Sequence, residues 1–226
     1  MIQRSVAKRF EYRVIQTLCW LVGVMAFGVR CRGRQLVPPR GGALLLCNHQ
    51  SHLDPMLLGM ACQRRLNFLA RETLFAFGPF GWLIHSLDAI PIDREGLGLS
   101  GLKETLRRVR DDEMVLIFPE GTRSRDGEIV QLKGGFAALA RRARVPLVPV
   151  AIEGAFQAWP RQRQFPRPGT IEVVFGQPLG PEQVAALDDA QLLAEIERRL
   201  RACHAAARAN RNRRLAESQL GGPILR

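Results

Sequence analysis

The sequence is short of acidic side chains. Its 226 residues contain 21 Asp and Glu against 33 Lys and Arg, which gives a formal charge of +12 at pH 7. A polyanion is therefore the natural partner, and nucleic acid and an anionic lipid surface both satisfy that electrostatic requirement. The apolar segments and the motifs have to decide between them.

Cysteine is also scarce, with five residues, an odd number, and no C-x-x-C pair. This excludes a disulfide framework and a zinc ribbon, and it favours reduced cysteines in a cytosolic compartment. His49, His52 and Asp54 lie close together, but no further cluster of ligand residues stands at metal-binding spacing. Ser51 lacks the G-x-S-x-G pattern of a nucleophile elbow. We therefore expect neither a metal site nor a serine hydrolase.

A long hydrophobic run is missing as well. The most apolar segment near the amino terminus, residues 14–29, has basic residues on both sides and is shorter than the about 20 residues that a spanning helix needs. It is typical of an interfacial helix that lies in one leaflet. A buried first helix of the core and a true membrane span are the alternatives. A cleaved signal peptide is disfavoured because no small-x-small cleavage site follows.

Composition is otherwise that of a globular protein, with 46% hydrophobic and 24% charged residues. Near-continuous apolar runs predict strands at residues 43–47, 66–70, 89–92, 114–118, 145–152 and 171–175, and helical periodicity predicts helices near 99–109 and 136–144. Such alternation predicts an α/β fold, with a mostly parallel or mixed central sheet flanked by helices and an amino-terminal interfacial membrane helix. The Pro- and Arg-rich stretch 159–168 is the best candidate for an exposed loop.

We divide the chain into an amino-terminal membrane-associating helical segment (1–30), an α/β domain (31–182) and a basic carboxyl-terminal helix and tail (183–226). In the last segment Leu193, Ile196 and Leu200 share one helical face, and several arginines follow. This basic helix could be a solvated face, or it could bind anionic lipid or nucleic acid.

The first motif, NHQSHLDP at residues 48–55, directly follows a predicted strand. An imidazole titrates near neutrality, so His49 is the candidate general base for a hydroxyl group. A carboxylate on the other ring nitrogen would fix the tautomer, and Asp54 could reach it across a tight turn. Alternatively, Asp54 caps the helix that Pro55 begins.

This motif resembles the N-H-x4-D block (HX4D motif) of the glycerolipid acyltransferases, the 1-acyl-sn-glycerol-3-phosphate acyltransferase family. IPIDR (90–94), FPEGTRS (118–124) and VPLVPVAIEG (145–154) resemble the family's other three blocks, in the family's order. The resemblance spans about residues 30–180. It implies an α/β domain with a membrane-embedded helical element at its amino terminus, no metal and no covalent acyl-enzyme.

In the second block the resemblance assigns Arg94 to the substrate phosphate, which suits the forked donors of a guanidinium group. An ordinary surface ion pair is the alternative. The sequence departs from the family's pattern at Asp88, where glycine is common, and at Pro91, where an apolar residue is frequent.

In the third block the resemblance places Glu120, Gly121, Thr122 and Arg123 at the substrate. Glu120 can accept hydrogen bonds from glycerol hydroxyls, Gly121 permits close backbone approach, and Arg123 adds positive charge for the phosphate.

Two further residues complete the predicted site. Lys133 precedes two glycines that open a helix, where free N–H groups favour an anion, so we expect it to contact phosphate. The fourth block implies that Pro149 shapes the acyl-donor side, although a buried strand explains the same residues.

The predicted activity is transfer of a fatty acyl group from acyl-CoA or acyl-carrier protein to the sn-2 hydroxyl of 1-acyl-sn-glycerol-3-phosphate, forming phosphatidic acid in phospholipid biosynthesis. The thioester is a co-substrate, and no cofactor is expected. The predicted partners are the lysophospholipid, the acyl donor and an anionic membrane surface, without nucleic acid. We expect a peripheral or monotopic protein on the cytoplasmic face of a membrane, the inner membrane of a bacterium.

Other acyl acceptors remain open, namely glycerol-3-phosphate, another lysophospholipid or a lyso-aminolipid. More distant alternatives are a metal hydrolase, and a basic protein that binds lipid or nucleic acid without catalysis.

Overall fold

The computed structural model describes residues 5–76, 78–92 and 98–220, which contain a mixed sheet covered by helices on both faces. Seven strands lie in the order β1-β7-β6-β2-β5-β3-β4. Their bounds are β1 Arg30–Arg32, β2 Ala43–Cys47, β3 Leu66–Arg71, β4 Ile90–Ile92, β5 Met114–Ile117, β6 Leu147–Glu153 and β7 Glu172–Phe175. The helices are α1 Val6–Phe27, α2 Asp54–Ala61, α3 Glu72–Phe75, α4 Gly78–Ser86, α5 Gly98–Arg110, α6 Gly135–Ala143, α7 Ala155–Ala158, α8 Pro181–Ala186 and α9 Asp189–Leu220.

The strand pairing confirms the predicted fold class. All neighbouring strands are parallel except β6 and β7, which pair antiparallel through Val150–Phe175 and three further residue pairs. All six predicted strands exist, within one or two residues of their expected ends. The first strand, β1, was not predicted. Its sequence RCR has an arginine on each side of one cysteine, and within the described residues it is an edge strand with β7 as its one neighbour.

Two cores lie on opposite faces of the sheet. Every side chain of β2 is buried, and these side chains alternate between the faces as strand geometry requires. Leu45 and Cys47 join the core beneath α1 and α2, while Leu44 and Leu46 join the core beneath α6 and α9. The continuous apolar run of β2 therefore follows from its central, parallel position.

Helix α1 starts earlier than the predicted apolar segment and leaves most of its surface uncovered. Only 17% of its most apolar window is buried, and Phe10 and Met25 are 70% and 84% exposed. By length and composition it could cross a membrane, a test that a core helix or a signal sequence also passes. Its low burial argues against the core-helix alternative, so the apolar surface is available to lipid.

Helix α9 packs its apolar face on β6 and β7, and Leu192, Ile196 and Leu200 are buried there. Many arginines of this helix bind acidic groups of the fold. Arg214 Nη1 lies 2.7 Å from buried Glu172 Oε1, and Arg208 Nη2 lies 2.6 Å from Glu128 Oε1. The charge run is thus in large part an internal set of ion pairs, which the sequence pattern does not indicate.

Candidate active site

The site lies where two adjacent parallel strands end. Residues 48–53 form the turn after β2, and residues 118–124 form the loop after β5. Because β2 and β5 pair in parallel register from Ala43–Met114 onward, their carboxyl ends open at the same edge of the sheet. Strand ends of this kind are where open α/β sheets place their ligands. The chemistry-bearing motifs therefore meet there.

His49 and Asp54 are in direct contact, as the sequence suggests. His49 Nδ1 lies 2.7 Å from Asp54 Oδ2, the Asp54 carboxylate is fully buried, and the His49 side chain is 19% exposed. With Nδ1 donating to the carboxylate, Nε2 is left to accept a proton. This is the arrangement of an imidazole base oriented by a carboxylate.

The same carboxylate also closes the turn. Asp54 Oδ2 accepts hydrogen bonds from the backbone N–H groups of Gln50 at 2.7 Å and Ser51 at 2.8 Å. The expectation that Asp54 caps the following helix is wrong in detail, because α2 begins at Asp54 with Leu53 in the N-cap position and no side-chain cap. The carboxylate points back to the turn rather than forward into the helix.

The His49 ring is held from a second side by Phe118. The two rings stack with centroids 3.9 Å apart and planes inclined by 16°. Phe118 directly follows β5 and opens the loop, so this contact joins the two motifs across neighbouring strands. Apart from its place in the third block, nothing in the sequence identifies Phe118 as a support of the His49 ring.

Glu120 joins the two segments through the backbone. Its Oε1 accepts from the His49 N–H at 2.7 Å, its Oε2 accepts from the Val130 N–H at 3.0 Å, and the residue is only 2% exposed. Burial raises the pKa of this carboxyl to about 7, against the lowering effect of the two N–H groups. Glu120 therefore fixes the position of His49, and its contact with a glycerol hydroxyl stays a prediction.

Three more buried polar side chains anchor the turn, and sequence reasoning assigned none of them a role. Asn48 binds both backbone groups of Ile152, at 3.0 Å through Nδ2 and at 2.8 Å through Oδ1. Gln50 donates to the Ile152 carbonyl and accepts from the Phe156 N–H at 2.9 Å. Ser51 Oγ donates to the Trp159 carbonyl at 2.7 Å. The turn is thereby fastened to the end of β6 and to the segment after it.

The predicted phosphate contacts lie on the loop after β5 and beyond it. Arg123 contacts the His52 ring, with Nη1 2.7 Å from Nε2, and burial followed by the Arg123 charge lowers the pKa of His52. Lys133 is exposed just before α6, and its side chain lies over Gly121, where an added Cβ would be 2.8 Å from Lys133 Cε. Thr122 is exposed beside them.

Two other predicted residues stand apart from this cluster. Arg94 lies outside the described residues. Pro149 is buried within β6, where its carbonyl accepts from the Gly176 N–H at 2.8 Å. The buried-strand interpretation of the fourth block is thus confirmed, and the link of Pro149 to the acyl donor stays a prediction.

Asp88, where the family pattern favours glycine, has a φ of +56°. Aspartate tolerates this left-handed conformation better than most residues do. Its carboxylate binds Lys8 of α1 and Arg65, each at 2.9 Å. The aspartate therefore links α1 to the residue that precedes β3.

Comparisons with known proteins decide the family. A family model described as acyltransferase matches residues 28–153. The chain is 34% identical over 206 residues to a 1-acyl-sn-glycerol-3-phosphate acyltransferase of Pseudomonas aeruginosa, covering 86% of this chain and 76% of the relative. It is 29% identical over 185 residues to the enzyme of that name from Bacillus subtilis, covering 76% of this chain and 90% of the relative.

The chain belongs to this acyltransferase family. The crystal structure of the 1-acyl-sn-glycerophosphate acyltransferase from Thermotoga maritima has the same fold, with a TM-score of 0.78 at 23% identity, over 90% of this chain and 82% of that one. The acyltransferase match ends at Glu153, so it contains the turn after β2, the loop after β5 and all of β6. The chain is accordingly an acyltransferase enzyme, and a non-catalytic binding protein is excluded.

Proposed function

We propose that this acyltransferase moves a fatty acyl group from a thioester to the sn-2 hydroxyl of 1-acyl-sn-glycerol-3-phosphate and so forms phosphatidic acid for phospholipid biosynthesis. The observation that carries the proposal is the 2.7 Å contact between His49 and buried Asp54 at the carboxyl end of β2. The names of the relatives support the choice of acceptor.

The proposed reaction is direct transfer. His49 Nε2 takes the proton of the acceptor hydroxyl while its oxygen attacks the thioester carbonyl carbon. The tetrahedral intermediate then expels the thiolate, which receives the proton from His49. Asp54 stabilises the imidazolium that exists between the two proton transfers. No covalent bond to the protein is needed, because His49 acts only as base and then as acid.

The acceptor phosphate needs cations close to the base. Arg123 contacts His52, three residues from His49, and Lys133 lies over Gly121 in the same loop region. We assign both to the phosphate, together with Arg94, Thr122 and the Gly121 backbone. Holding the hydroxyl against the base in this way is worth at most about 7 to 11 kcal/mol of the barrier in intramolecular models.

The remaining parts of the proposal concern the donor and the surroundings. Acyl-CoA or acyl-carrier protein supplies the acyl group as a co-substrate, with Pro149 on the donor side, and no metal or other cofactor takes part. The enzyme works at the cytoplasmic face of an anionic membrane and binds no nucleic acid. The exposed apolar surface of α1 supports the membrane part.

The experiment is a comparison of His49→Ala with His85→Ala in vesicles that contain lysophosphatidate and an acyl thioester. His85 is an exposed histidine of α4. Loss of a general base predicts a rate about a hundredfold to ten-thousandfold lower for His49→Ala, with vesicle binding unchanged. Retained turnover would contradict the assignment of the base.

The acceptor is tested separately. Wild-type enzyme receives equimolar lysophosphatidate, glycerol-3-phosphate, a neutral lysophospholipid and a lyso-aminolipid in one vesicle preparation, and the acylated products are separated by mass. Preferred acylation of lysophosphatidate is the expected result. Preference for another acceptor would keep the His49 mechanism and change the substrate.

A further inference from the structure

The loop from Trp159 to Pro168, which follows α7, has an unusual surface. Its sequence WPRQRQFPRP contains three arginines and no acidic residue, and Phe165 is 69% exposed. It has no helix or strand of its own. An exposed large aromatic side chain among cations is a combination typical of protein segments that enter the boundary between lipid headgroups and acyl chains.

Hydrogen bonds within the loop define its shape. Trp159 Nε1 donates to the Arg163 carbonyl at 3.0 Å, the Arg163 N–H donates to the Pro160 carbonyl at 3.1 Å, and the Arg167 N–H donates to the Ala158 carbonyl at 2.9 Å. Phe165 lies between the second and third of these bonds. The Phe165 side chain is therefore exposed although the backbone of the loop around it is held by hydrogen bonds.

The arginines of this loop are available for an anion. Within residues 5–76, 78–92 and 98–220, none of Arg161, Arg163 and Arg167 forms an ion pair with a carboxylate; Arg163 Nη1 binds only the Gln157 carbonyl, at 3.0 Å. Arginines of α9, by contrast, bind Glu128, Glu153, Glu172 and Glu195. Lipid phosphate is a fitting partner because guanidinium groups bind phosphate oxygens in pairs.

The segment that follows the loop binds the carboxyl end of α1. Just beyond the loop, the Gly169 N–H donates to the Ala26 carbonyl at 3.3 Å, and Met25, the neighbour of Ala26, is 84% exposed. Helix α9 braces this junction, since Arg211 Nε donates to the Thr170 carbonyl at 2.9 Å and Arg214 Nη2 to the Gly28 carbonyl at 2.7 Å.

We propose that loop 159–168 is a second membrane-docking element, in which Phe165 enters the leaflet and Arg161, Arg163 and Arg167 bind the phosphate groups of anionic phospholipids. At its other end the loop reaches the active site, where the Trp159 ring lies 5.2 Å from the His52 ring. Docking through both α1 and this loop holds the opening beside His49 at the surface from which a lipid acceptor arrives.

The first test measures how deeply the side chain at position 165 enters the membrane. It therefore does not depend on how tightly α1 alone binds the protein to the vesicle. Phe165→Trp is bound to vesicles that contain phospholipids brominated along the acyl chains, and quenching of the added tryptophan is taken as the difference from wild type. Arg110→Trp, at an exposed position on α5 that precedes the amino end of β5, is the matched control. Quenching at 165 and not at 110 is expected; an unquenched tryptophan at 165 in vesicle-bound protein overturns the proposal.

The second test removes the charge. The triple variant Arg161→Gln, Arg163→Gln, Arg167→Gln is compared with Arg40→Gln, Arg110→Gln, Arg142→Gln, which removes three exposed arginines near the opposite edge of the sheet. The readout is the ratio of partitioning into phosphatidylglycerol-containing and pure phosphatidylcholine vesicles. The loop variant should lower this ratio about tenfold to a hundredfold, and the control far less.

Equal ratios for the two triple variants would overturn the role of the arginines. So would an unchanged ratio accompanied by weaker binding of acyl-carrier protein, which would assign the loop to an acidic protein. Both readouts are binding measurements, so they stand whether or not lysophosphatidate is the acceptor.

Discussion

The turn after β2 and the loop after β5 lie side by side, and each places one carboxylate next to His49. Asp54, the first residue after the turn, contacts the imidazole ring at Nδ1, whereas Glu120 in the loop accepts from the backbone N–H of the same residue, both at 2.7 Å. Both carboxylates are almost completely buried. His49 is thus held twice, once through its ring and once through its backbone.

The surroundings give these carboxylates different properties. Asp54 Oδ2 accepts hydrogen bonds from two backbone N–H groups in addition to its contact with the ring, so all three contacts lie on one oxygen. Glu120 receives one N–H group on each oxygen, and burial outweighs them and raises its pKa to about 7. In the proposed mechanism Asp54 acts on the imidazole ring itself, while Glu120 connects the two loops through their backbone N–H groups. The contrast teaches that a buried carboxylate beside the proposed base can hold the backbone of the loop and leave the ring to another group.

The largest effect that separates the two is expected from Asp54→Asn. All three contacts of the Asp54 carboxylate lie on Oδ2, so an asparagine oxygen that still accepts from Gln50 and Ser51 also faces Nδ1, and the substitution removes the carboxylate beside the ring. The imidazolium of the proposed mechanism then loses the group that stabilises it, so kcat should fall about a hundredfold to ten-thousandfold. Steady-state kinetics against vesicle-borne acceptor measure this change.

Glu120→Gln is the matched variant for that measurement. Its oxygen keeps one backbone N–H, so its loss in kcat should be at least tenfold smaller than that of Asp54→Asn. If its main effect is instead a raised KM for the acceptor, Glu120 touches substrate and the backbone role is secondary. Equal losses in kcat for the two variants would contradict the different roles of Asp54 and Glu120.

The next effect concerns stability against pH. A carboxyl group whose pKa rises from 4.5 unfolded to about 7 folded leaves the native state holding more protons between these values. The free energy of unfolding must then decrease as pH rises through this window, by up to about 3 kcal/mol. Glutamine does not titrate, so the difference in unfolding free energy between wild type and Glu120→Gln isolates the contribution. Denaturant unfolding at pH 4.5 and 7.5 gives the unfolding free energy of wild type minus that of Glu120→Gln. This difference should be smaller at pH 7.5, and a difference that stays constant or increases with pH contradicts the raised pKa.

Much of the fold could be predicted because a strand that is buried on both faces of the sheet has a continuous run of apolar residues. The strand 43–47 is ALLLC, and a strand so apolar fits only the centre of a covered sheet. The strand Arg30–Arg32 could not be found in this way, since one neighbour and partial exposure leave its charges in place. The ion pairs of the α9 arginines could not be predicted either, because a sequence does not show that Glu172 lies opposite Arg214.

The candidate site was predictable to the extent that its residues are close in sequence. His49 and Asp54 are joined by a single turn, so their contact follows from local geometry and from the motif. The supports of that turn come from far along the chain: Asn48 binds Ile152, and Glu120 binds His49. Such pairs depend on strand order, which hydrophobic periodicity does not determine.

The smallest effect should follow Gly121→Ala, which alters the loop without touching either carboxylate. Gly121 has a φ of +67°, and a Cβ there would lie 2.8 Å from Lys133 Cε. The left-handed conformation costs an alanine about 1 to 2 kcal/mol of stability, and the lysine must move aside. If Lys133 binds the acceptor phosphate, KM for lysophosphatidate should rise while kcat stays within about threefold, because the His49–Asp54 pair is intact. Gly134→Ala is the control, because its Cβ would meet no atom of the described residues within 4 Å. A large loss of kcat with unchanged KM would instead show that this loop positions the base and not the phosphate.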